Sequence, residues 1–215
     1  MSAQELILQH REGACLTVTI NRPEKANSLT RDMLIQLRDV FLAVQQDDAL
    51  HAVILTGAGE RVFCGGADLA TLYDDTDGSD PWEEMAQALR AIPVLTIAAI
   101  NGPCMGGGLT LALSCDIRIG VETARFAYPV LKNNVLPAQY DVDQLKRLMG
   151  PGRAAAILLG GDTVQADDAL AWGLLDKLAA RERLMDSCQE LCATAISANR
   201  NHLGRLKAML KEDAA

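Results

Sequence analysis

The sequence predicts a single α/β domain in which strands and helices alternate. The segment Cys15–Ile20 alternates apolar and hydroxyl residues, which indicates a half-buried strand, and Ala52–Thr56 is a continuous apolar strand. Around Gly106–Gly108 an apolar run is broken by glycines and then resumes with small residues, which indicates a strand, a tight turn and a helix. A chain of 215 residues is long enough to bury one core without disulfides.

The first predicted helix begins after Thr30, a residue type that caps helix N-termini. Apolar residues follow at helical spacing and form a core-facing stripe of Met33, Leu34, Leu37, Val40, Phe41 and Val44. The same signals predict helices over 82–90, 141–148, from 151 onward, over 165–172 and over most of 182–210. They predict further strands over 94–100, 116–119, 124–127 and 174–178.

A second glycine turn lies at Gly65 and Gly66, just before a short helix predicted to begin near Ala67. The segment 73–81 that follows is acidic and turn-rich, and we expect a mobile, solvated loop there. Its aspartates resemble those of a calcium-binding loop. The glutamate that closes such a loop is missing, so the sequence predicts no metal site.

Composition and charge exclude several classes of partner. The formal charge of −8 and the pI near 4.9 leave no basic stripe to neutralise a nucleic-acid backbone. The longest apolar run, 92–100, is far too short to span a membrane. The six cysteines form no CxxC pair, and no signal peptide is recognisable. We therefore expect a cytoplasmic protein with reduced thiols and no nucleic-acid or membrane partner.

The two glycine turns point to a site for negative charge. Three consecutive glycines, Gly106–Gly108, leave bare backbone N–H groups where the helix begins, and such groups bind a phosphate or an oxyanion. The lysine of a Walker A loop and the third glycine of a dinucleotide fingerprint are both missing. Two backbone donors that converge on one carbonyl oxygen would explain both turns.

Five motifs resemble, in order, those of the enoyl-CoA hydratase/isomerase family, the crotonases. They are Arg22–Leu29, Phe63–Leu69, Ile100–Gly108, Cys115–Ile119 and Ala169–Leu175. The resemblance covers roughly residues 10–200. It implies a spiral of ββα units, with a core over 1–180 and a C-terminal helical segment over 181–215 that is shorter than in the family.

The resemblance also implies a substrate and a set of site residues. The substrate is an acyl-CoA or acyl-carrier-protein thioester, with no cofactor beyond the coenzyme A of the substrate itself. The backbone N–H groups of Ala67 and Gly107 would form the oxyanion hole. Substrate-binding positions would be Lys25, Ala26, Asn27, Gly66, Asp68, Leu69 and Ala138. The family further implies a homo-oligomer, a trimer or a hexamer.

The sequence departs from the family at the acid–base positions. Thr110 and Val130 stand where hydratases of the family carry their two glutamates, and Ala138 follows the loop proline where other members carry an aspartate. Asp141 and Tyr140 are the remaining candidates, as the base and the proton donor. The alternative is that Asp141 caps a helix and Tyr140 only packs.

These departures favour an enolate-forming isomerase or lyase over an enzyme of simple hydration. Two alternatives stay open: a catalytically inactive acyl-CoA-binding or assembly subunit, and a decarboxylase or hydrolase on the same scaffold. We interpret Asp68 and Asp116 as structural carboxylates, and Cys64 and Cys104 as buried thiols. We expect a neighbouring subunit to cover an apolar face of Leu184, Leu191, Ala195, Leu203, Leu206 and Leu210.

Overall fold

The computed structural model describes residues 5–68, 70 and 80–211. Nine strands form two sheets in these residues. The strands are β1 (Ile7–Glu12), β2 (Cys15–Ile20), β3 (Ala52–Gly57), β4 (Leu95–Ile100), β5 (Cys104–Met105), β6 (Ile117–Val121), β7 (Arg125–Ala127), β8 (Val164–Gln165) and β9 (Lys177–Ala179). The large sheet has the order β1-β2-β3-β4-β6-β9, parallel except for the β1–β2 hairpin. The small sheet has the order β5-β7-β8.

Eight α-helices surround these sheets in the described part of the chain. They are α1 (Arg31–Gln46), α2 (Pro81–Arg90), α3 (Gly107–Ser114), α4 (Gln139–Met149), α5 (Pro151–Leu158), α6 (Ala166–Trp172), α7 (Leu184–Ser197) and α8 (Arg200–Lys211). The apolar runs of β3 and β4 lie in the middle of the large sheet and are buried almost throughout, as expected of parallel strands covered on both faces. The architecture is therefore the α/β class that the sequence predicts.

Most of the predicted elements are confirmed within a few residues. Thr30 caps α1 as expected, because its side chain accepts a hydrogen bond from the Met33 N–H at 3.3 Å. The strand predicted over 174–178 is displaced, because the Leu174 and Leu175 N–H groups bond back to Ala169 O and close the end of α6. Only Lys177–Ala179 is extended.

The short helix predicted near Ala67 does not begin there. Ala67 instead pairs with Leu29 in an isolated parallel bridge. The rest of that predicted helix, and most of the acidic segment 73–81, lie outside the described residues. Strands β1, β5 and β8 were not predicted, because two of them are only two residues long and β1 is mostly solvent-exposed.

The C-terminal helix α8 is attached to the large sheet by a buried charge pair. The ammonium of Lys207, whose side chain is 8% exposed, lies 2.7 Å from Asp116 Oδ2 and donates to Val94 O. Asp116 Oδ2 also accepts from the N–H and the hydroxyl of Thr96. Burial lowers the pKa of Lys207, and the charge of Asp116 opposes this change. Asp116 is thus a structural carboxylate.

The apolar face expected on the C-terminal helices is only partly exposed. Leu184 and Ala195 are buried within this chain, whereas Leu206 and Leu210 are 53% and 72% exposed. In the described part of the chain, no helix is both long and apolar enough to cross a bilayer. The same residues contain no cluster of three or more His, Cys, Asp or Glu side chains suited to a metal ion.

We expect Asp116→Asn to lower the free energy of unfolding by about 3 kcal/mol, because Lys207 would remain buried without its counter-charge. The double variant Asp116→Asn/Lys207→Met removes the orphaned ammonium and should recover part of that loss. Urea unfolding of the three proteins measures both effects. A double variant less stable than the single variant would show that the unpaired ammonium is not the cause.

We also expect Cys64 and Cys115 to be unreactive in the native protein, since burial raises the pKa of each thiol to about 12. Iodoacetamide at pH 8 should label neither residue before unfolding and both residues in guanidinium, as read by peptide mass spectrometry. The denatured sample is the control for reagent access. Rapid labelling of native Cys64 would contradict the structure.

Candidate active site

Two glycine turns meet at the edge of the sheets. Gly66 has φ +92, and a Cβ built on it would lie 2.9 Å from Met105 O and 3.1 Å from the Gly107 nitrogen. Gly106 also has a positive φ, +52, at the position that precedes α3. A side chain at residue 66 would therefore separate the two turns, and glycine is required for both the conformation and the contact.

Backbone pairing holds these turns together. Cys64 and Cys104 form an isolated parallel bridge, and Met105 N–H donates to Cys64 O at 2.9 Å. The Gly106 N–H donates to Ala127 O at 2.9 Å, which ties the second turn to β7. A Cβ on Gly108 would lie 2.6 Å from Cys64 O, so this glycine also serves close approach.

Where the turns meet, two N–H groups have no hydrogen-bond partner among the described residues. In the bridge between Ala67 and Leu29, the hydrogen bonds are made by the Leu29 N–H to Gly66 O and by the Asp68 N–H to Leu29 O. The Ala67 N–H is therefore directed away from Leu29. The Gly107 N–H is the first of α3 and has no acceptor within its own helix. Within the described residues, neither group has a hydrogen-bond partner.

Ala67 and Gly107 line a cavity of about 540 Å³. Its walls are mostly apolar or backbone, and come from the start of α2, from α3, from the segment after β7 and from the loop before α4. The loop contributes 135–138, including Ala138, and α2 contributes Trp82 and Glu83. A largely apolar cavity with a few convergent polar groups is the usual form of a small-molecule site.

A cluster of two hydroxyls and one carboxyl, which we call the Thr110–Tyr128–Asp141 cluster, lies behind one wall. The Thr110 hydroxyl donates to Asp141 Oδ2 at 2.6 Å, and the Tyr128 hydroxyl donates to the same oxygen at 2.7 Å. The two hydroxyl oxygens are 3.1 Å apart. Thr110 and Tyr128 line the cavity, whereas Asp141 is fully buried and does not.

Burial is the main influence on this cluster. It raises the pKa of Asp141, while the two hydroxyl donors oppose the change by stabilising the carboxylate. Burial also raises the pKa of Tyr128. Asp141 Oδ1 is buried and accepts no hydrogen bond from the described residues. An orphaned acceptor and an apolar environment both favour the protonated carboxyl.

Asp141 is not a helix cap. Helix α4 begins at Gln139 after Ala138, which makes no side-chain cap, and the Asp141 side chain turns inward to Thr110 and Tyr128. The alternative interpretation of Asp141 as an N-cap is therefore wrong. Tyr140 is placed elsewhere: the guanidinium of Arg90 lies 4.2 Å from its ring centroid, and it does not line the cavity.

Sequence reasoning missed two residues that face the cavity, Glu83 and Tyr128. Glu83 appeared only as one residue of the helix predicted over 82–90. Its Oε1 accepts hydrogen bonds from Arg90 at 2.7 Å and from Gln87 at 2.8 Å. Tyr128 stood beside the position of a missing glutamate, and that neighbourhood was the only signal for it.

The predicted coenzyme A positions lie in a turn beside the glycine turn at 65–66. Asn27 is fully buried, and its side chain accepts from the Arg22 N–H and donates to Val62 O. The Gly65 N–H donates to Ala26 O, which brings the two turns into contact. Lys25 ends a short 3-10 helix in this turn, Pro23–Lys25.

An ion pair connects the same two turns. Arg22 lies 2.7 Å from Asp68 Oδ2, and this hydrogen bond holds the pKa of Asp68 below its ordinary value. Gly66 lines the cavity, as does Ala138, whereas Asp68 does not. Leu69, the remaining predicted position, lies outside the described residues.

Comparison with known proteins agrees with this architecture. A model of the enoyl-CoA hydratase/isomerase family matches residues 10–215. The chain is 31% identical to the crotonyl-CoA hydratase of Syntrophomonas wolfei subsp. wolfei over 99% of this chain and 82% of that protein. It is 35% identical to the 1,2-epoxyphenylacetyl-CoA isomerase of Escherichia coli over 87% of this chain and 74% of that protein.

A solved structure shows the same fold. The crystal structure of a monofunctional enoyl-CoA isomerase from M. smegmatis superposes with a TM-score of 0.85 and 30% identity, covering 96% of this chain and 92% of that one. Sequence and fold agree over nearly the whole chain. The protein therefore belongs to the enoyl-CoA hydratase/isomerase family, the crotonases, which act on acyl-CoA thioesters.

Proposed function

We propose that this protein forms the enolate of an acyl-CoA thioester and uses it for double-bond isomerisation or a related reaction. The observation that carries the proposal is that the N–H groups of Ala67 and Gly107 lie at one cavity and have no partner in the part of the chain that the structure describes. In the proposed complex both groups donate to the thioester carbonyl oxygen. The oxygen gains negative charge as a proton leaves the α-carbon.

Preorganised N–H donors suit this chemistry. Each donor aimed at a developing oxyanion contributes about 3 to 4 kcal/mol, mainly in the transition state. The glycine turns fix the Ala67 and Gly107 donors before substrate binds, so no reorganisation is needed during the reaction. No cofactor is required in this proposal, because coenzyme A is part of the substrate.

The side chains around the donors favour a proton shift over hydration. Hydration requires a base for water and an acid for the α-carbon, and the family positions for these groups hold Thr110 and Val130. Neither side chain exchanges a proton near neutral pH. Isomerisation needs no activated water. Relatives named as isomerases, from Escherichia coli and M. smegmatis, support this class of reaction for this chain.

The coenzyme A end of the substrate is placed, in this proposal, along the turn that contains Lys25, Ala26 and Asn27. The turn lies against the glycine turn at 65–66, and the Arg22–Asp68 ion pair supports it from the side. Lys25 supplies a positive charge for the phosphates. We further propose a homo-oligomer in which a second copy covers the exposed Leu206 and Leu210.

The proposed function predicts that hexanoyl-CoA binds and exchanges its α-protons in heavy water. Calorimetry measures the binding, and NMR measures the exchange. Binding without exchange would instead identify an inactive acyl-CoA-binding subunit. An absence of binding for both short-chain and long-chain acyl-CoA would overturn the proposal. Carbon dioxide release from malonyl-CoA, or free coenzyme A, would indicate the decarboxylase or hydrolase alternative.

Gly66→Ala should slow α-proton exchange by about 100-fold, because the new Cβ would displace Gly107 and misalign one oxyanion donor. Gly152→Ala is the matched control, since a Cβ on this α5 residue meets nothing within 4 Å. The control should exchange at the native rate. A folded Gly66→Ala protein with native exchange would show that the two turns do not form the oxyanion hole.

A further inference from the structure

We propose that Glu83 removes the substrate proton and that Tyr128, supported by Asp141, delivers the proton that completes a double-bond shift. This assignment rests on the proposed function and specifies which groups move the protons. It replaces the interpretation of Asp141 and Tyr140 as the groups that touch substrate. Three features of the cavity carry it.

The first feature is that few carboxylates reach the cavity. Among the described residues that line it, only Asp80 and Glu83 carry one. Asp80 caps α2, and its Oδ1 accepts the N–H groups of Trp82 and Glu83 at 3.1 Å each. Asp141 is separated from the cavity by the Thr110 and Tyr128 hydroxyls. Among the described residues, Glu83 is therefore the carboxylate we assign to a bound acyl chain.

The second feature is the orientation of Glu83. Arg90 and Gln87 both donate to Oε1, while Oε2 has no partner within the described residues. Arg90 is held in turn over the Tyr140 ring. One oxygen is thus anchored, and the other is free to accept a proton.

The position of α2 brings Glu83 close to the oxyanion donors. The neighbouring Trp82 covers Gly107 so closely that a Cβ on this glycine would overlap the indole ring. The start of α2 therefore lies directly over the predicted site of the thioester carbonyl. Glu83 follows Trp82 and lines the same cavity.

The third feature is the hydrogen bond between Tyr128 and the buried carboxyl of Asp141, the group that would supply the second proton. Tyr128 lines the cavity, and its hydroxyl donates a hydrogen bond to Asp141 Oδ2 at 2.7 Å. Burial raises the pKa of Asp141, and its buried Oδ1 accepts no hydrogen bond from the described residues. When Asp141 carries a proton on Oδ2, this hydrogen bond reverses: the carboxyl donates to the Tyr128 oxygen, and the Tyr128 O–H can then donate to substrate. Asp141 is a positioning residue in this arrangement, because it never touches the substrate.

The proton balance closes for a 3-enoyl thioester. Glu83 takes a proton from the α-carbon, and the electrons of the broken C–H bond form a dienolate whose oxygen accepts the Ala67 and Gly107 N–H groups. Tyr128 then protonates the γ-carbon and takes the Asp141 proton. The double bond, which began between the β- and γ-carbons, now lies between the α- and β-carbons, and the carbonyl re-forms. Glu83 afterwards releases its proton to water, and Asp141 takes one from water through Tyr128.

The first test compares Glu83→Gln with Glu84→Gln on trans-3-hexenoyl-CoA. Both substitutions neutralise an α2 glutamate that is paired with an arginine, because Glu84 lies 2.7 Å from Arg38, but Glu84 does not line the cavity. Glu83→Gln should lower both α-proton exchange and isomerisation by about 100-fold or more. Its affinity for hexanoyl-CoA should remain native. Glu84→Gln should leave all three properties unchanged.

The second test separates the two proton steps. Tyr128→Phe and Asp141→Asn should lose isomerisation but retain α-proton exchange in heavy water, because the base and the oxyanion donors remain. A purely structural defect would lower both rates together. The readout is therefore the ratio of exchange to isomerisation, measured by NMR on the same sample.

The outcomes distinguish this inference from the proposed function. A native protein that neither exchanges nor isomerises the substrate contradicts the proposed function itself. Native activity that survives in Glu83→Gln overturns the assignment of Glu83. Equal loss of exchange and isomerisation in Tyr128→Phe overturns the assignment of Tyr128, and an unchanged ratio in Asp141→Asn removes Asp141 from the relay.

Discussion

The site depends on one close approach, between Gly66 and the first residue of α3. The distance of 3.1 Å from a Cβ at residue 66 to the Gly107 nitrogen leaves no space for a side chain. The Cys64–Cys104 bridge and the bond from Gly106 N–H to Ala127 O hold this contact, and both belong to backbone pairing around the small sheet. Because only backbone atoms are involved, the arrangement of the two turns does not depend on which side chains surround them.

The acid–base groups obey a different constraint. The backbone donors need only the glycine turns, whereas each proton-moving group needs a side chain of the right burial and direction. Around the cavity this chain has Thr110 and Val130, with the carboxyl of Asp141 buried behind Thr110 and Tyr128 and that of Glu83 lining the cavity from α2. A shared oxyanion geometry with different surrounding groups is how one fold supports several reactions. Family membership therefore restricts the substrate class more than it restricts the reaction.

Periodic elements were predictable because their patterns report burial directly. The stripe of α1, the capping Thr30 and the continuous apolar runs of β3 and β4 are local signals, and the structure confirms each of them. Prediction failed where tertiary pairing competes with local pattern. Residues 174–175 are apolar, but their N–H groups close the end of α6, and Ala67 pairs with Leu29 rather than starting a helix.

The sequence by itself determined the fold class, the family and the two glycine turns. The order of the motifs and the positions of the glycines are local features of the chain, and they specify backbone conformation without reference to distant residues. Only the tertiary structure decided which side chains reach the cavity. The sequence made Asp141 a candidate base at a helix start, yet its carboxyl turns inward to Thr110, 31 residues away in sequence. Tyr140 packs under Arg90, while Tyr128 faces the cavity. The direction of a side chain depends on which distant element packs against it, so a local sequence pattern cannot predict that direction.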